Sequence, residues 1–150
     1  MGIDLGQGKR TGFGIGDFLA GVYDETRDVF VTLAKIGTGL TDEEWKTLKA
    51  QSSKLKVPKK PKNYDVDTMM ECDVWLSPSI VVEIRADEIT RSPVHTAGRT
   101  LKPSKGGGAW DVDEPGYALR FPRLERFRND KKPINATTVA EVKKMFKAQG

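Results

Sequence analysis

The chain has 150 residues, of which 37% are hydrophobic and 31% are charged, and these proportions are typical of one folded domain rather than of a disordered or fibrous chain. Its formal net charge of +4 at pH 7 favours phosphate-bearing partners. One cysteine and one histidine exclude an internal disulfide bond and a zinc site built from about four cysteine and histidine ligands.

The sequence predicts no membrane association. No stretch approaches the ~20 apolar residues that a membrane-spanning helix needs, and no signal peptide opens the chain. We therefore expect the protein to lie inside the cell, in the cytoplasm and nucleoid or in a nucleus. We also expect it to be a monomer. We expect a single domain over about residues 6–149, cut from a longer protein, with residues 1–5 as a linker or the remnant of an artificial junction.

The first predicted elements are a glycine-rich segment and a hairpin. Residues 6–16 contain five glycines together with Lys9 and Arg10, a combination that suits either close approach to a phosphate or a strand that bends sharply. Residues 18–23 and 29–36 are rich in β-branched and aromatic side chains and flank a short polar turn. This pattern predicts a β-hairpin.

The middle of the chain predicts a helix, a linker and a strand. Thr41 and Glu44 form a capping box that begins a helix ending near residue 51. Residues 54–62 are basic and contain two prolines, which predicts an irregular linker. Residues 80–89 alternate apolar and charged side chains, so we expect one strand with one face on the core.

The last third predicts a loop, a strand and a final helix. Residues 99–116 are rich in lysine, proline, glycine and aspartate and predict a mobile loop. Apolar side chains then alternate until Pro122 interrupts the strand, and a capping box at Thr138 and Glu141 begins the last helix. Together the elements predict a β-rich fold, a five-stranded Greek-key oligonucleotide-binding (OB) barrel with an intervening helix and a C-terminal helix.

One segment, residues 119–131, concentrates positive charge beside aromatic rings. It holds four arginines, one lysine and two phenylalanines, with only two acidic residues. This density favours binding of a polyanion. The alternative is a solvated basic strand edge, in which cations prevent edge-to-edge pairing.

Four phrases of the sequence, in this order and spacing, resemble the C-terminal OB-fold domain of an ATP-dependent DNA ligase of the replicative and repair type. They are residues 8–24, 35–44, 82–93 and 119–131. The resemblance implies a domain that grips nicked double-stranded DNA during replication, repair and recombination. It also implies a second partner, the ligase nucleotidyltransferase domain, whose lysine receives AMP from ATP.

The resemblance further implies that this chain carries no catalytic residue. The nucleophilic lysine of these ligases lies in a Lys-x-Asp-Gly motif, and that motif does not occur here. We therefore expect the chain to be inactive alone and to bind no metal. ATP and Mg²⁺ are cofactors of the whole enzyme and are not expected to be bound to this domain by itself.

The resemblance assigns roles to two groups of residues. It places four residues over the β- and γ-phosphates of ATP: Arg126, Arg128, Asp130 and Lys131. It assigns contacts in the DNA minor groove to Arg120 and Phe121. We expect further DNA contacts from six residues: Lys9, Arg10, Lys35, Gly37, Gly39 and Arg123. Phe121 would enter the minor groove as an apolar wedge, although its alternation with Tyr117 and Leu119 also suits a core residue. Pro122 would re-aim the ring by bulging the strand.

Other readings of the same residues remain open. Lys35 also suits a solvated strand end, and Asp87 with Glu88 suits a structural role because adjacent strand residues point to opposite faces. His95 is expected in a loop. The chain also suits a stand-alone module for single-stranded nucleic acid, which needs exposed aromatic rings, but only Trp110 is expected outside the core. A capping-type RNA guanylyltransferase domain is a third candidate.

Overall fold

The computed structural model describes residues 1–6 and 14–150. The segment from 7 to 13, which holds the predicted DNA contacts Lys9 and Arg10, lies outside the described residues. Within the described ranges the chain forms twelve β-strands, two α-helices and two short 3₁₀ turns, Thr68–Met70 and Pro133–Asn135. The predicted β-rich fold with two helices is confirmed, and the described strands form four separate sheets rather than one closed barrel.

The predicted hairpin is present and forms part of the largest sheet. Strand β2 (Ile15–Asp24) pairs antiparallel with strand β3 (Val29–Ile36). The Asp24 carboxylate accepts hydrogen bonds from the backbone and the side chain of Thr26 in the turn, as short polar turn residues commonly do. Val31 is fully buried, so this hairpin anchors the core.

Residues 1–5 were predicted to be a linker, and the structure corrects that prediction. Gly2–Leu5 form strand β1, which pairs with β2 on one side and with strand β6 (Val74–Leu76) on the other. Ile3 is only 3% exposed. A side chain at Gly2 would lie 2.8 Å from the Cβ of Cys72, so β1 fits only with glycine there. Four residues are too few for a periodic pattern, and pairing on both sides therefore was not visible in the sequence.

Two short strands complete the large sheet. Lys56–Val57 form β4, which pairs with β6, and Tyr64–Asp65 form β5, which runs parallel to β3. The sheet order is therefore β4-β6-β1-β2-β3-β5. The predicted linker over residues 54–62 is thus partly strand, because the backbone of β4 finds a partner in β6 although its side chains show no pattern.

Both predicted capping boxes are present. Helix α1 (Asp42–Ser53) begins with the Thr41 hydroxyl accepting from the backbone amide of Glu44, whose side chain accepts in return from the Thr41 amide. Helix α2 (Val139–Ala148) begins with the same arrangement. Each box satisfies two amides that the helix itself leaves unpaired.

The predicted strand over residues 80–89 is divided in two. Val82–Arg85 form β7 and Glu88–Ser92 form β8. Strand β8 pairs with β11 (Gly116–Arg120), whereas β7 pairs with β12 (Arg123–Phe127). The chain therefore forms one long antiparallel ribbon that bends sharply halfway, at residues 86–87 on one strand and residues 121–122 on the other.

The predicted loop over residues 99–116 contains a second ribbon. Strands β9 (Thr100–Pro103) and β10 (Trp110–Glu114) pair only with each other among the described strands. Trp110 is 68% exposed. The loop prediction is corrected because a hairpin that stands away from the core needs no buried face, and the sequence therefore shows no apolar run.

Two apolar clusters hold the elements together. One buries Leu48 of α1 against β1, β2, β3 and β6, with side chains of β7, β11 and β12 packed around it. The other buries Val142 of α2 against β2, β3, β8 and β11. The Gln149 side chain, just after α2, also bonds to the backbone of Ile89 in β8. No helix in the described part of the chain is long and apolar enough to cross a membrane.

Candidate nucleic-acid and phosphate-binding face

The bend between β11 and β12 presents an aromatic ring to solvent. Phe121 has a backbone φ of +52° and is 63% exposed. The positive φ costs about 1–3 kcal/mol for a residue other than glycine. Pro122 has no backbone N–H to donate and restricts the residue before it. The alternative that Phe121 belongs to the core is wrong, because the bend turns its ring away from Leu119 and Tyr117.

Arg120 and Arg123 lie on either side of Phe121 in the sequence, and each forms one ion pair. The partner of Arg120 is Glu88, the first residue of β8, and the partner of Arg123 is Asp87, which precedes β8. Arg120 Nη1 lies 2.8 Å from Glu88 Oε1, and its guanidinium lies 5.2 Å from the centre of the Phe121 ring. Arg123 Nη1 donates to Asp87 Oδ1 and to the Phe121 carbonyl, each at 3.0 Å. Asp87 and Glu88 therefore have the structural role that their sequence positions indicated.

A β-bulge in β12 sets the direction of the next two arginines. Leu124 is paired with Ile84, but Arg126 is paired with Glu83, so Glu125 is the extra residue. A bulge of this kind re-aims the side chains that follow it. Leu124 is buried and Phe127 packs on the core, which leaves Arg126 on the outer face of the ribbon.

Arg128 is the most fully engaged cation on this face. Its Nε and Nη2 donate to the two carboxylate oxygens of Asp130, both at 2.9 Å, and its Nη1 donates to Glu83 Oε1 at 3.3 Å. These bonds lower the pKa of Asp130 to about 2 and raise the pKa of Arg128. Asp130 is thus a carboxylate that holds Arg128 in one orientation.

Lys131 lies at the edge of a cationic recess. The recess has a volume of about 800 Å³ and lies between the end of α1 and the segment after β12. Its basic lining residues are Lys54, Arg128, Lys131 and Lys132. No acidic side chain lines it among the residues that the structure describes, so the recess attracts anions.

The remaining predicted DNA contacts divide between two places. Gly39 has a φ of +87°, and a side chain there would lie 3.0 Å from the Cβ of Arg123, so the structure brings Gly39 to the arginine face. Gly37 is exposed but lies against Gly16 and Asp17. The structure therefore does not bring Gly37 to the arginines.

Lys35 lies in a polar cluster of its own. Its Nζ is 2.8 Å from Asp4 Oδ2 and donates to the Glu71 carbonyl at 3.2 Å. Burial acts to lower the pKa of Lys35, but the hydrogen bond and charge of Asp4 outweigh it and raise that pKa. Lys35 is thus not a solvated strand end. Neither of these contacts joins it to the arginines of the candidate face.

The cations on this face suit phosphate oxygens more than a metal ion. Guanidinium groups match phosphate geometry and remain charged at any physiological pH. In residues 1–6 and 14–150, no three histidine, cysteine, aspartate or glutamate side chains converge to hold a metal. Phosphate oxygens therefore fit the guanidinium donors of this face.

Neither Cys72 nor His95 is poised for chemistry. Burial raises the pKa of the Cys72 thiol to about 12, so it is not a thiolate at neutral pH. Burial also lowers the pKa of His95, which follows β8 and whose Nδ1 lies 2.7 Å from the Oγ of Ser92, the last residue of that strand. The loop position expected for His95 is correct.

Sequence reasoning missed one member of the site, Glu83. Its carboxylate contacts both Arg126 and Arg128, whereas the sequence indicates for it only a charged position on the strand expected over residues 80–89. The signal that could have found it is the alternation of β7, which puts Glu83 on the same outer face as any cation of a paired strand. The pairing partner itself was not visible.

The sequence is similar to one protein family and to several curated proteins. A family model described as "ATP dependent DNA ligase C terminal region" matches residues 11–131. The chain is 51% identical to a "Probable DNA ligase" of Dictyoglomus thermophilum, over 99% of this chain and 24% of that relative. It is 39% identical to a "DNA ligase" of Aeropyrum pernix, over 99% of this chain and 23% of that relative. It is also 39% identical to "DNA ligase 1" of Dictyostelium discoideum, over 99% of this chain and 12% of that relative. The chain thus spans about a quarter or less of the length of these curated relatives.

Proposed function

This chain belongs to the family of C-terminal regions of ATP-dependent DNA ligases, and on that premise we propose that it is the non-catalytic OB domain of such a ligase. The domain would act twice, once on ATP and once on nicked duplex DNA. The observation that carries the proposal is the family match over residues 11–131, which covers the arginine face. The catalytic lysine would lie in the nucleotidyltransferase domain, since the Lys-x-Asp-Gly motif does not occur in this sequence.

The proposed role on ATP belongs to Arg126, Arg128 and Lys131, with Asp130 as the carboxylate that holds Arg128. When the lysine of the nucleotidyltransferase domain attacks the α-phosphorus of ATP, the bond to the departing pyrophosphate breaks and negative charge grows on that leaving group. Cations held at the β- and γ-phosphates stabilise this charge. Two observations support this role: Arg126 is exposed, and no acidic side chain of the described residues lines the recess beside Lys131.

The proposed role on DNA belongs to Arg120, Phe121 and Arg123. An exposed ring beside two cations suits entry into the minor groove, where an apolar wedge parts base pairs and the cations contact phosphates. The solvent exposure of Phe121 supports this role. The positive φ of Phe121 supports it too, because this backbone conformation turns the ring out of the strand.

The experiment that tests the proposal separates the two chemical steps in the intact ligase. We expect the double variant R128A/K131A to slow lysine adenylation by about 10²-fold, the effect of removing charge-stabilising donors. Sealing of nicks that already carry AMP should be nearly unchanged, because ATP takes no part in it. Adenylation is followed by transfer of radiolabelled AMP, and sealing by gel electrophoresis of a pre-adenylated nicked duplex.

The matched control is R85A/K105A, which also removes one arginine and one lysine. Arg85 pairs with Glu125, the extra residue of the bulge, and Lys105 lies at the tip of the β9–β10 hairpin. Both steps should proceed normally in this control. Equal loss of adenylation and sealing in R128A/K131A would refute the separation of roles.

A further inference from the structure

We propose that Glu83 is a positioning residue for lysine adenylation, which acts by orienting Arg126 and Arg128. The inference rests on the proposed function and adds a residue outside the 119–131 segment. Glu83 lies on β7, whereas both arginines follow the bulge in β12 or the end of that strand. One carboxylate on a neighbouring strand therefore contacts both guanidinium groups.

The register of the ribbon brings these three side chains together. Val82 and Ile84 pack on the core, so Glu83 between them points outward. The bulge at Glu125 then places Arg126 opposite Glu83. Without that extra residue, Glu125 would occupy the position opposite Glu83 and two carboxylates would face each other.

The two oxygens of Glu83 are divided between the two arginines. Oε2 lies 2.9 Å from Arg126 Nε, and Oε1 accepts from Arg128 Nη1 at 3.3 Å. Arg128 is also held by both oxygens of Asp130. Arg126 has no second acidic partner within 4 Å in the described part of the chain. Arg126 is therefore the cation whose orientation depends most on Glu83.

The contact with Glu83 leaves the outer edge of Arg126 available. The ion pair engages Nε, and the terminal nitrogens Nη1 and Nη2 make no hydrogen bond to any of the described residues. A guanidinium held at Nε presents these two nitrogens in a fixed fork, which matches two phosphate oxygens. A free arginine side chain must lose rotamer freedom on binding, and Glu83 reduces that loss in advance.

The closing experiment compares E83Q with wild type in the intact ligase. Glutamine keeps the shape and one acceptor oxygen, but it removes the charge and cannot serve both arginines as an acceptor. We expect the KM for ATP in lysine adenylation to rise about tenfold, the loss of one oriented charged contact. Sealing of pre-adenylated nicks should not change, and neither should the melting temperature.

The structure offers a closely matched control in E125Q. Glu125 pairs with Arg85 across the same two strands, and these side chains are 36% and 68% exposed. Glu83 and Arg126 are 36% and 66% exposed. The two variants therefore remove carboxylates of equal exposure from the same ribbon. E125Q should leave the KM for ATP at the wild-type value, and an equal rise in both variants would overturn the inference.

A double-variant cycle separates this inference from the proposed function. If Glu83 acts through Arg126, E83Q should change the KM much less in an R126A background than in wild type. Fully additive effects would overturn the positioning role. If R126A impairs adenylation but E83Q does not, the proposed function stands and this inference fails. If neither variant affects adenylation, the proposed role of Arg126 itself fails.

Discussion

At the scale of single residues, the least expected feature is a carboxyl pair next to Lys35. Burial, followed by a hydrogen bond and charge repulsion from Asp4, raises the pKa of Asp17 to about 6. Burial also acts to raise the pKa of Asp4, but hydrogen bonds from Lys35, Asp17 and a backbone amide lower it below its usual value. Asp17 therefore takes up a proton in mildly acidic solution while Asp4 stays ionised.

This pair predicts a pH dependence of stability. Because the pKa of Asp17 rises from 3.8 in the unfolded chain to about 6 in the folded one, the folded state binds more protons between these values. The free energy of unfolding should fall as pH rises from about 4 to about 6, and then level off. Asp4 contributes with the opposite sign, but only as pH falls below its unfolded pKa of 3.8.

D17N should remove the Asp17 contribution, because asparagine can donate to Asp4 without losing a proton. At pH 8 we expect a Tm higher than wild type by about 2–4 °C, a shift equivalent to ~1 kcal/mol after discounting for solvent exposure. D111N on the exposed hairpin is the control. Thermal unfolding at pH 4.5, 6 and 8 measures the effect, and parallel profiles for D17N and wild type would contradict it.

At the scale of elements, strand β1 and the β9–β10 hairpin were both missed by the sequence patterns, and they differ in how far they are buried. Strand β1 lies in the middle of the large sheet. The β9–β10 hairpin, in contrast, pairs with no other strand in the described part of the chain. Pairing on both edges buries Ile3, while Leu101 of the hairpin stays 46% exposed. We therefore expect stability to depend on the short strand and not on the longer ribbon.

The comparison of I3A with L101A tests this expectation. Ile3 lies in the main apolar cluster, so I3A should lower the free energy of unfolding by about 2–4 kcal/mol through lost burial and a cavity. L101A removes a side chain of the same size from an exposed position and should change stability by less than about 0.5 kcal/mol. Denaturant unfolding monitored by circular dichroism gives both values. Similar losses in the two variants would contradict this account.

At the scale of the whole molecule, net charge is a poor guide to the charge available for binding. The chain carries +4 overall, but the four arginines of the candidate face all pair with acids. Polyanions must compete with those carboxylates for the same guanidinium groups. The isolated domain should therefore bind DNA weakly and without base preference.

Titration of nicked duplex at several salt concentrations tests this expectation. Each phosphate contact contributes about −0.9 to the slope of log K against log salt, so R120A/R123A should make the slope shallower by about 2. R85A/K105A is the control with equal charge. Salt-independent binding would contradict the proposal, and tighter binding of oligo-dT than of nicked duplex would favour the single-strand module instead.

Local patterns were sufficient for much of the fold. The β2–β3 hairpin and both capping boxes follow from neighbouring residues, because turn chemistry and helix caps act over about four positions. The single strand expected over residues 80–89 was wrong, since its alternation says nothing about a bend. That bend depends on Phe121 and Pro122, which are distant in sequence from residues 80–89 and lie beside them only after strand pairing.

The sequence by itself determined the chemical character of the candidate site, because residues 119–131 contain its arginines and the aromatic ring of Phe121. The resemblance to ligases also follows from the sequence alone. Only the tertiary structure decided which of these groups face solvent and what holds them. In the tertiary structure Phe121 is exposed and Lys35 forms an ion pair with Asp4. Glu83 contacts the two arginines of the proposed ATP site. The reason is physical: an ion pair between strands depends on register, and here one bulged residue in β12 sets that register.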